Sequence, residues 1–324
     1  MNILPNRRTL IALAAGLLLG TTAHADDKFP SKPVRFVIPT APGGNLDLLA
    51  RVVAEKLGQA WSQSVIVEPR PGANTILATT TVARSPADGY TALFTISGFA
   101  QNLVLQPNPQ YKAEDFVPVS MVASFPIVLA ARADLPANDL AGVVKLAKAS
   151  PDKLSFGSYG VGSGAHVIGE GLNKAAGMRI KHVAYKGEAA AFPDLINGSI
   201  DLAYGSVGFY GRQLSGGRVK IIAMANPNRI KSYPNVPTLA EAGYPEVNLP
   251  GWGGILLPAN TPAVIVEKFS KEIQRITALP DVQAKILEMG FEPVGNSSAE
   301  FSKQITSDIQ QWGKIVREND IKLQ

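Results

Sequence analysis

Val34-Arg35-Phe36-Val37-Ile38-Pro39-Thr40-Ala41-Pro42-Gly43-Gly44-Asn45-Leu46-Asp47 decides the fold class. Five residues suited to a buried strand run into Pro39, and a Pro/Gly turn follows. Leu48, Leu49, Val52, Val53 and Leu57 then recur at helical spacing. The same unit repeats downstream. Val65-Ile66-Val67 reads as a strand, Ile76 to Arg84 suits a short helix, and Thr91 to Ile96 is a third strand. Strands alternating with helices predict a parallel sheet with right-handed crossovers.

The rhythm restarts at Ile127-Val128-Leu129, with a helix from Leu140 to Ala149 and a strand at Leu154-Ser155-Phe156. A helix follows Gly164, and strands are expected at Ile180 to Tyr185, Ile200 to Tyr204 and Val219 to Met224. Asn226 to Pro262 is rich in Pro and Gly, which suits a long connection with a crossing strand at Trp252 to Leu257. Three helices close the chain. Thr261-Pro262 is a cap and first turn ahead of Ile265, Phe269, Ile273 and Ile276. Asp281 to Met289 is the second. Ser297-x-x-Glu300 is a capping box before the apolar stripe Phe301, Ile305, Ile309, Trp312 and Val316.

Composition narrows the class. The 324 residues are 46% hydrophobic and 18% charged, too apolar for disorder and long enough for two domains. The chain has no Cys, which excludes disulfides, a thiolate zinc site and a cysteine nucleophile. Arg7 and Arg8 precede an apolar run from Leu10 to Leu19 and an Ala23-His24-Ala25 exit. These are the parts of a secretory signal peptide, residues 1–25, cut after Ala25. The run is too short to span a bilayer, so the mature chain is expected to be exported and to start at Asp26. The Arg pair leaves the general and twin-arginine routes both open. Without it, 29 Lys+Arg face 26 Asp+Glu, a balance of +3, and no basic cluster remains to bind nucleic acid.

Open parallel sheets bind ligands at the carboxyl ends of their strands, so the turns there are the candidate sites. In Thr40 to Asp47, Gly43 and Gly44 let backbone approach a ligand, Asn45 can cap the next helix, and Asp47 falls in its first turn. A tight turn with a dipole-complementing Asp fits the same residues. The second turn, Gly157-Ser158-Tyr159-Gly160-Val161-Gly162-Ser163-Gly164-Ala165-His166, is rich in N–H and O–H donors suited to an anion. Gly160-x-Gly162-x-x-Ala165 only loosely matches a dinucleotide fingerprint, and Glu188 stands beyond the strand that would carry its ribose carboxylate. No nucleophile elbow, phosphate-binding loop or His-Glu-x-x-His zinc motif occurs, and no cofactor is expected. His166 and His182 alone remain in the mature chain, too few for a His-rich metal site.

Phe29-Pro30-x-Lys32-Pro33-Val34-Arg35, Pro39-x-x-Pro42-Gly43-Gly44-x-x-Asp47 and Ala50-Arg51 resemble the opening of the Bug family. Those proteins are solute-binding components of tripartite tricarboxylate transporters. Val67-Glu68-x-Arg70-Pro71-Gly72-Ala73, Pro86-x-Asp88-Gly89-Tyr90-Thr91 and Asp115-Phe116-x-Pro118-Val119 continue the likeness. So do Ser158-x-Gly160-x-Gly162-Ser163-x-x-His166, His182-Val183-x-Tyr185-Lys186-Gly187 and Pro234-x-Val236-Pro237-Thr238-Leu239-x-Glu241-Ala242-Gly243. The order and spacing of these motifs carry the resemblance over almost the whole chain.

The resemblance implies a two-lobed α/β periplasmic binding protein of type II, with two doubly wound domains around a ligand cleft. Lobe one would be 26–125 with 252–324 and lobe two 126–251. The chain would cross the hinge near Ala123 to Pro126 and again near Pro250 to Gly254. It also implies a small carboxylate ligand, membrane transporter components as partners, and a monomer. Thr40, Ala41, Gly43, Gly44, Asn45 and Asp47 would face Ser158, Tyr159, Gly160, Val161, Gly162, Ser163 and His166 across the cleft. Asn74, Thr75, Ser97, Gly98, Tyr185, Lys186, Tyr204 and Gly205 would line it. Backbone N–H groups after Gly43-Gly44 and within Gly160 to Ser163 are expected to meet the ligand carboxylate, with Lys186 the one nearby cation. Leu46 in place of a hydroxyl residue, Pro69 in place of Asn, Asn74-Thr75 in place of a Gly pair and Ala184 in place of Pro imply a more apolar cleft. An aromatic or longer aliphatic acid would suit it. An exported sensor or an exported enzyme acting on a small acid remains compatible with the same residues.

Overall fold

The computed structural model describes residues 29–321, and the expected signal peptide lies outside them. The first half builds β1 (Val34–Ile38), α1 (Asn45–Trp61), β2 (Val65–Pro69), α2 (Ile76–Ala83), β3 (Thr91–Ile96), α3 (Gly98–Leu105) and β4 (Phe116–Phe125). The middle builds β5 (Ile127–Arg132), α4 (Leu140–Ala149), β6 (Ser155–Ser158), α5 (Gly164–Ala176) and β7 (Lys181–Ala184). It continues through α6 (Glu188–Asn197), β8 (Leu202–Ser206), α7 (Val207–Gln213) and β9 (Val219–Ala225). The chain returns through β10 (Gly251–Pro258), α8 (Ala263–Thr277), α9 (Pro280–Glu288), β11 (Glu292–Pro293) and α10 (Ser298–Glu318).

Two sheets result, ordered β11-β4-β10-β3-β1-β2 and β7-β6-β8-β5-β9. The expected purely parallel sheets are corrected here. β1 pairs parallel with β2 and β3, and β6 with β7 and β8. β10 is antiparallel to β3 and β4, and β5 is antiparallel to β8 and β9. The reason is the crossing itself. A strand that enters a lobe from the other one starts at the cleft and runs away from it, opposite to strands that end there. β4 went unread as a strand because Pro118 interrupts its pattern; the register slips beside Pro118, where a residue without an N–H is tolerated.

Successive strand residues face opposite sides, so Phe36 and Phe94 pack in one cluster and Val37 and Leu93 in another. The second sheet is likewise covered on both faces, by Phe156, Ile168 and Leu172 on one side and Ala191, Leu195 and Tyr210 on the other. The capping box forms as read, with the Ser297 N–H donating to Glu300 Oε2 at 2.8 Å. Helix α10 serves both lobes. Phe301 and Ile305 join the first lobe's core, whereas Trp312, Ile315 and Val316 join the core of the middle segment.

The two crossings lie side by side. Phe125 pairs with Gly251 at the end of one sheet, and Ile127 pairs with Ala225 at the start of the other. Ser124 Oγ donates to Asn226 Oδ1 at 3.0 Å, and Asn248 Nδ2 donates to the Asn226 carbonyl at 2.8 Å, tying the returning strand to the outgoing one.

Behind the cleft the Trp252 indole N–H donates to Asp308 Oδ2 at 2.6 Å, and Gln304 Nε2 donates to Oδ1 at 2.7 Å. Burial pushes the Asp308 carboxyl up to about 6, against the pull of these two donors. A raised folded-state pKa means the native chain holds the proton more tightly. This group's contribution to stability is present below the ordinary carboxylate pKa and is lost as pH rises toward 6. Asp308→Ala strands the buried indole N–H and is expected to cost about 1–3 kcal/mol in urea unfolding. Asp308→Asn keeps an acceptor, so the stability difference from wild type should change between pH 4 and pH 6 and be flat above it.

Candidate functional site

A cleft of about 930 Å³ opens between the lobes, with Asn74, Ser97, Gly98 and Gln101 on one wall and Tyr159, Gly160, Val161 and Ser163 on the other. A narrower extension of about 410 Å³ continues past Asn45, Ser97, Phe125, Tyr159, Glu188 and Ser206. Helices begin on both walls. α1 starts after Gly44, α3 after Ser97, α5 after Ser163, α6 after Gly187 and α7 after Ser206, so helix amino ends from both lobes open on one space. Such ends carry partial positive charge and free N–H groups. Among the described residues no Lys, Arg or His lines either part. A groove formed by Pro107 to Asp115 with Leu103 and Ile309 lies on the first lobe and adjoins the cleft, sharing Pro107, Asn108 and Gln110 with it.

The first loop is wired mostly to itself. Gly43 has φ +83°, and its N–H donates to Asp47 Oδ2 at 2.9 Å; the Gly44 N–H donates to the Ala41 carbonyl at 3.4 Å. Those two amides are therefore spent within the turn, and the N–H groups that follow Gly44, at the start of α1, are the ones this loop leaves open. Asp47 is buried and ion-paired with Arg51 at 2.9 Å, and that bond holds its carboxyl below the usual range. Its role is the dipole-complementing one. Asn45 lines the narrow part of the cleft, and no side chain caps α1 at Gly44. Thr40 Oγ1 is buried without a partner, and Ala41 is exposed on the turn.

The second loop is also braced from within. The Gly162 N–H donates to His166 Nδ1 at 3.0 Å, the Gly160 N–H to Ser158 Oγ at 3.2 Å, and Ser163 Oγ to the Gly160 carbonyl at 2.6 Å. Ser163 caps α5 by accepting from the His166 N–H. Gly160 and Gly162 have φ +144° and +73°, conformations that a side chain would strain. Ser158, Gly162 and His166 are thus the support of the loop, and Tyr159, Gly160, Val161 and Ser163 are its face.

The remaining expected residues divide in the same way. Ser97, Gly98 and Asn74 line the cleft. Thr75 is buried behind it and takes a bond from Asn102 Nδ2 at 3.1 Å, while Asn74 Nδ2 donates to Asn102 Oδ1 at 3.0 Å. Ala73, Asn74 and Thr75 all have positive φ, at 46°, 46° and 79°, so this turn keeps a backbone suited to glycine without any. The Tyr185 hydroxyl donates to Asp194 at 2.7 Å, Tyr204 is core against Phe156, and Gly205 lies under Tyr210 and Glu188. Lys186 is exposed and lines neither part of the cleft. Gln101, Phe125, Ile127, Glu188, Ser206 and Phe291 line it and were not read as site residues. The start of a helix after each strand is the signal that points to Glu188 and Ser206.

His166, Glu170 and His182 each bring one potential ligand atom within 4.8 Å of the others. The two rings stack face to face at 3.9 Å and 11°, so their in-plane lone pairs run parallel and do not converge on one ion. His182 Nε2 shares a hydrogen bond with Ser158 Oγ at 2.7 Å, and the pair acts as a plinth for the loop.

Two α/β lobes with their strand ends on a shared cleft define a bilobal binding protein, and solved periplasmic binding proteins have this architecture. The profile described as "Tripartite tricarboxylate transporter family receptor" matches residues 49–321, and the chain belongs to that family. It is 33% identical over 315 residues to a "UPF0065 protein in tcbD-tcbE intergenic region" of Pseudomonas sp., covering 96% of this chain and 94% of the relative. The solved periplasmic binding protein BugD is similar at 31% identity and TM-score 0.73, covering 91% of this chain and all 100% of that one. R. palustris Rpa4515, solved with adipate, is 29% identical at TM-score 0.77 and covers 91% of this chain and 99% of its own. No helix among the described residues is long and apolar enough to cross a membrane.

Asn102→Ala should lower stability by about 1–3 kcal/mol in urea titration with an unchanged slope, because the strained turn at Ala73 to Thr75 loses its bonds. Burial, and secondarily the charge of His166, lowers the His182 pKa to about 4. The unfolded chain then binds more protons, so melting temperature should fall as pH drops from 6.5 toward 4, and His182→Phe should flatten that decline.

Proposed function

We propose that the chain is an extracytoplasmic solute-binding protein that captures a small carboxylate between its lobes and hands it to a tripartite tricarboxylate-type membrane transporter. The observation that carries this reading is the convergence of helix amino ends from both lobes on a cleft that no basic side chain lines among the described residues. A carboxylate held there is met by N–H groups and hydroxyls, and charge-assisted bonds of this kind contribute about 1.5–3 kcal/mol each. The adipate of Rpa4515 is a ligand of the same chemistry in a similar fold. The wall of Phe125, Ile127 and Phe291 suits the hydrocarbon part of a longer or aromatic acid.

In this reading the mature chain begins at Asp26 in the periplasm and is a monomer without cofactor. Its lobes are 26–125 with 252–324 and 126–251, and they close by rotation about the paired crossings. It is a receptor and not an enzyme. A thermal-shift screen of mono-, di- and tricarboxylates should give hits, and a ligand at 100 times its Kd adds about 2.7 kcal/mol. The bound acid should be recovered unchanged by chromatography after incubation; conversion would favour an enzyme. Small-angle scattering should show a smaller radius with ligand, and an unchanged radius with confirmed binding would exclude closure.

A further inference from the structure

Carboxylate capture leaves one side chain of the cleft without a part. Glu188 is the only charged residue lining either section of it among the described residues. It opens α6 directly after Gly187, and its carboxylate is fixed by two bonds from one residue. The Ser206 N–H donates to Oε2 at 2.6 Å, and the Ser206 hydroxyl donates to Oε1 at 2.8 Å. Gly205 makes the room: a Cβ there would stand 2.5 Å from Oε2. Each carboxylate oxygen keeps a lone pair for a further donor.

The surroundings give this carboxylate a direction. Its neighbours are Tyr159 and Tyr210, whose hydroxyls it holds up in pKa after burial has done so; burial raises the Glu188 carboxyl itself, and the two Ser206 bonds and then the charge of Arg212 offset part of that rise. The Arg212 side chain does not line the cleft. Across the narrow section stand Asn45 and Ser97, at the amino ends of α1 and α3, with Ile96, Phe125, Ile127 and Phe291 between. The wall from the first lobe is donor-rich, the wall from the second holds a fixed carboxylate at the amino ends of α6 and α7, and apolar side chains stand between them.

Resting on the carboxylate-capture reading, we propose that Glu188 is a specificity-determining residue. It selects ligands that carry a carboxylate at one end and a cationic N–H donor at the other, and it rejects the matched dicarboxylates. A second ligand carboxylate beside Glu188 would face a like charge in a partly desolvated site, whereas an ammonium would donate its N–H groups to the unused carboxylate lone pairs as a charge-assisted pair.

Calorimetry with matched ligands tests this: 4-aminobutyrate against glutarate, and 5-aminopentanoate against adipate, on wild type and on Glu188→Gln. Wild type should bind the amino acid at least tenfold more tightly than its diacid partner. Glu188→Gln, with its fold verified by circular dichroism, should shrink that ratio tenfold or more, mainly by tightening the diacid. A wild-type preference for the diacids overturns the inference without needing the variant, and so does an unchanged ratio in Glu188→Gln; in both cases carboxylate capture stands. No binding of either series to either protein overturns this inference, while carboxylate capture is then decided by the wider screen of mono-, di- and tricarboxylates.

Discussion

The antiparallel pair β4–β10 carries both crossings between the lobes, and the cleft exists because that pair stops at Phe125 and Gly251 together. A sheet can end abruptly only if its last backbone groups are satisfied. Pro126, which follows Phe125, has no N–H to leave unpaired, and Pro250 stands in the same relation to Gly251. The Asn226–Asn248 exchange then ties down the returning chain. Of the strands that end at this line, β1, β3, β6, β7 and β8 each lead into a helix across a short turn, and so positive helix ends gather where the lobes face each other, whereas β4 and β9 carry the crossings.

In the proposed carboxylate site the free donors belong to the helix starts more than to the glycines before them. Gly43, Gly160 and Gly162 spend their N–H groups on Asp47, Ser158 and His166. Those bonds make the loops rigid, and a rigid loop holds the following helix in place before any ligand arrives. Preorganisation of this kind lowers the ordering cost of binding. It also explains why two stacked neutral histidines suit the site under the second loop: the Gly162 N–H needs an acceptor at His166 Nδ1, which a protonated ring would not provide.

Much of the architecture was legible because burial on both sheet faces leaves plain apolar runs such as Val34–Ile38 and Thr91–Ile96. β4 was not, because Pro118 and the serines at 120 and 124 break its pattern, and α3, α6 and α7 were not, because glycine or proline sits inside or at the head of each. The glycine turns marked where the site lies, but not which atoms face it. Thr40 to Asp47 reads equally well as a cradle or as a self-bonded turn, and only the Gly43–Asp47 bond separates the two. Glu188 was visible as a charge, yet its place in the cleft depends on β8 lying beside β6 and β5, a long-range pairing that no local pattern encodes.

Helix α10 has a consequence for the order in which the molecule can form. Its first turns fill the core around Trp252 and Phe301, and its last turns fill the one around Leu172 and Trp312. For a chain that emerges from its amino end, neither lobe can complete its interior until residues 298–321 have followed. An early, stable, half-folded lobe is thereby avoided.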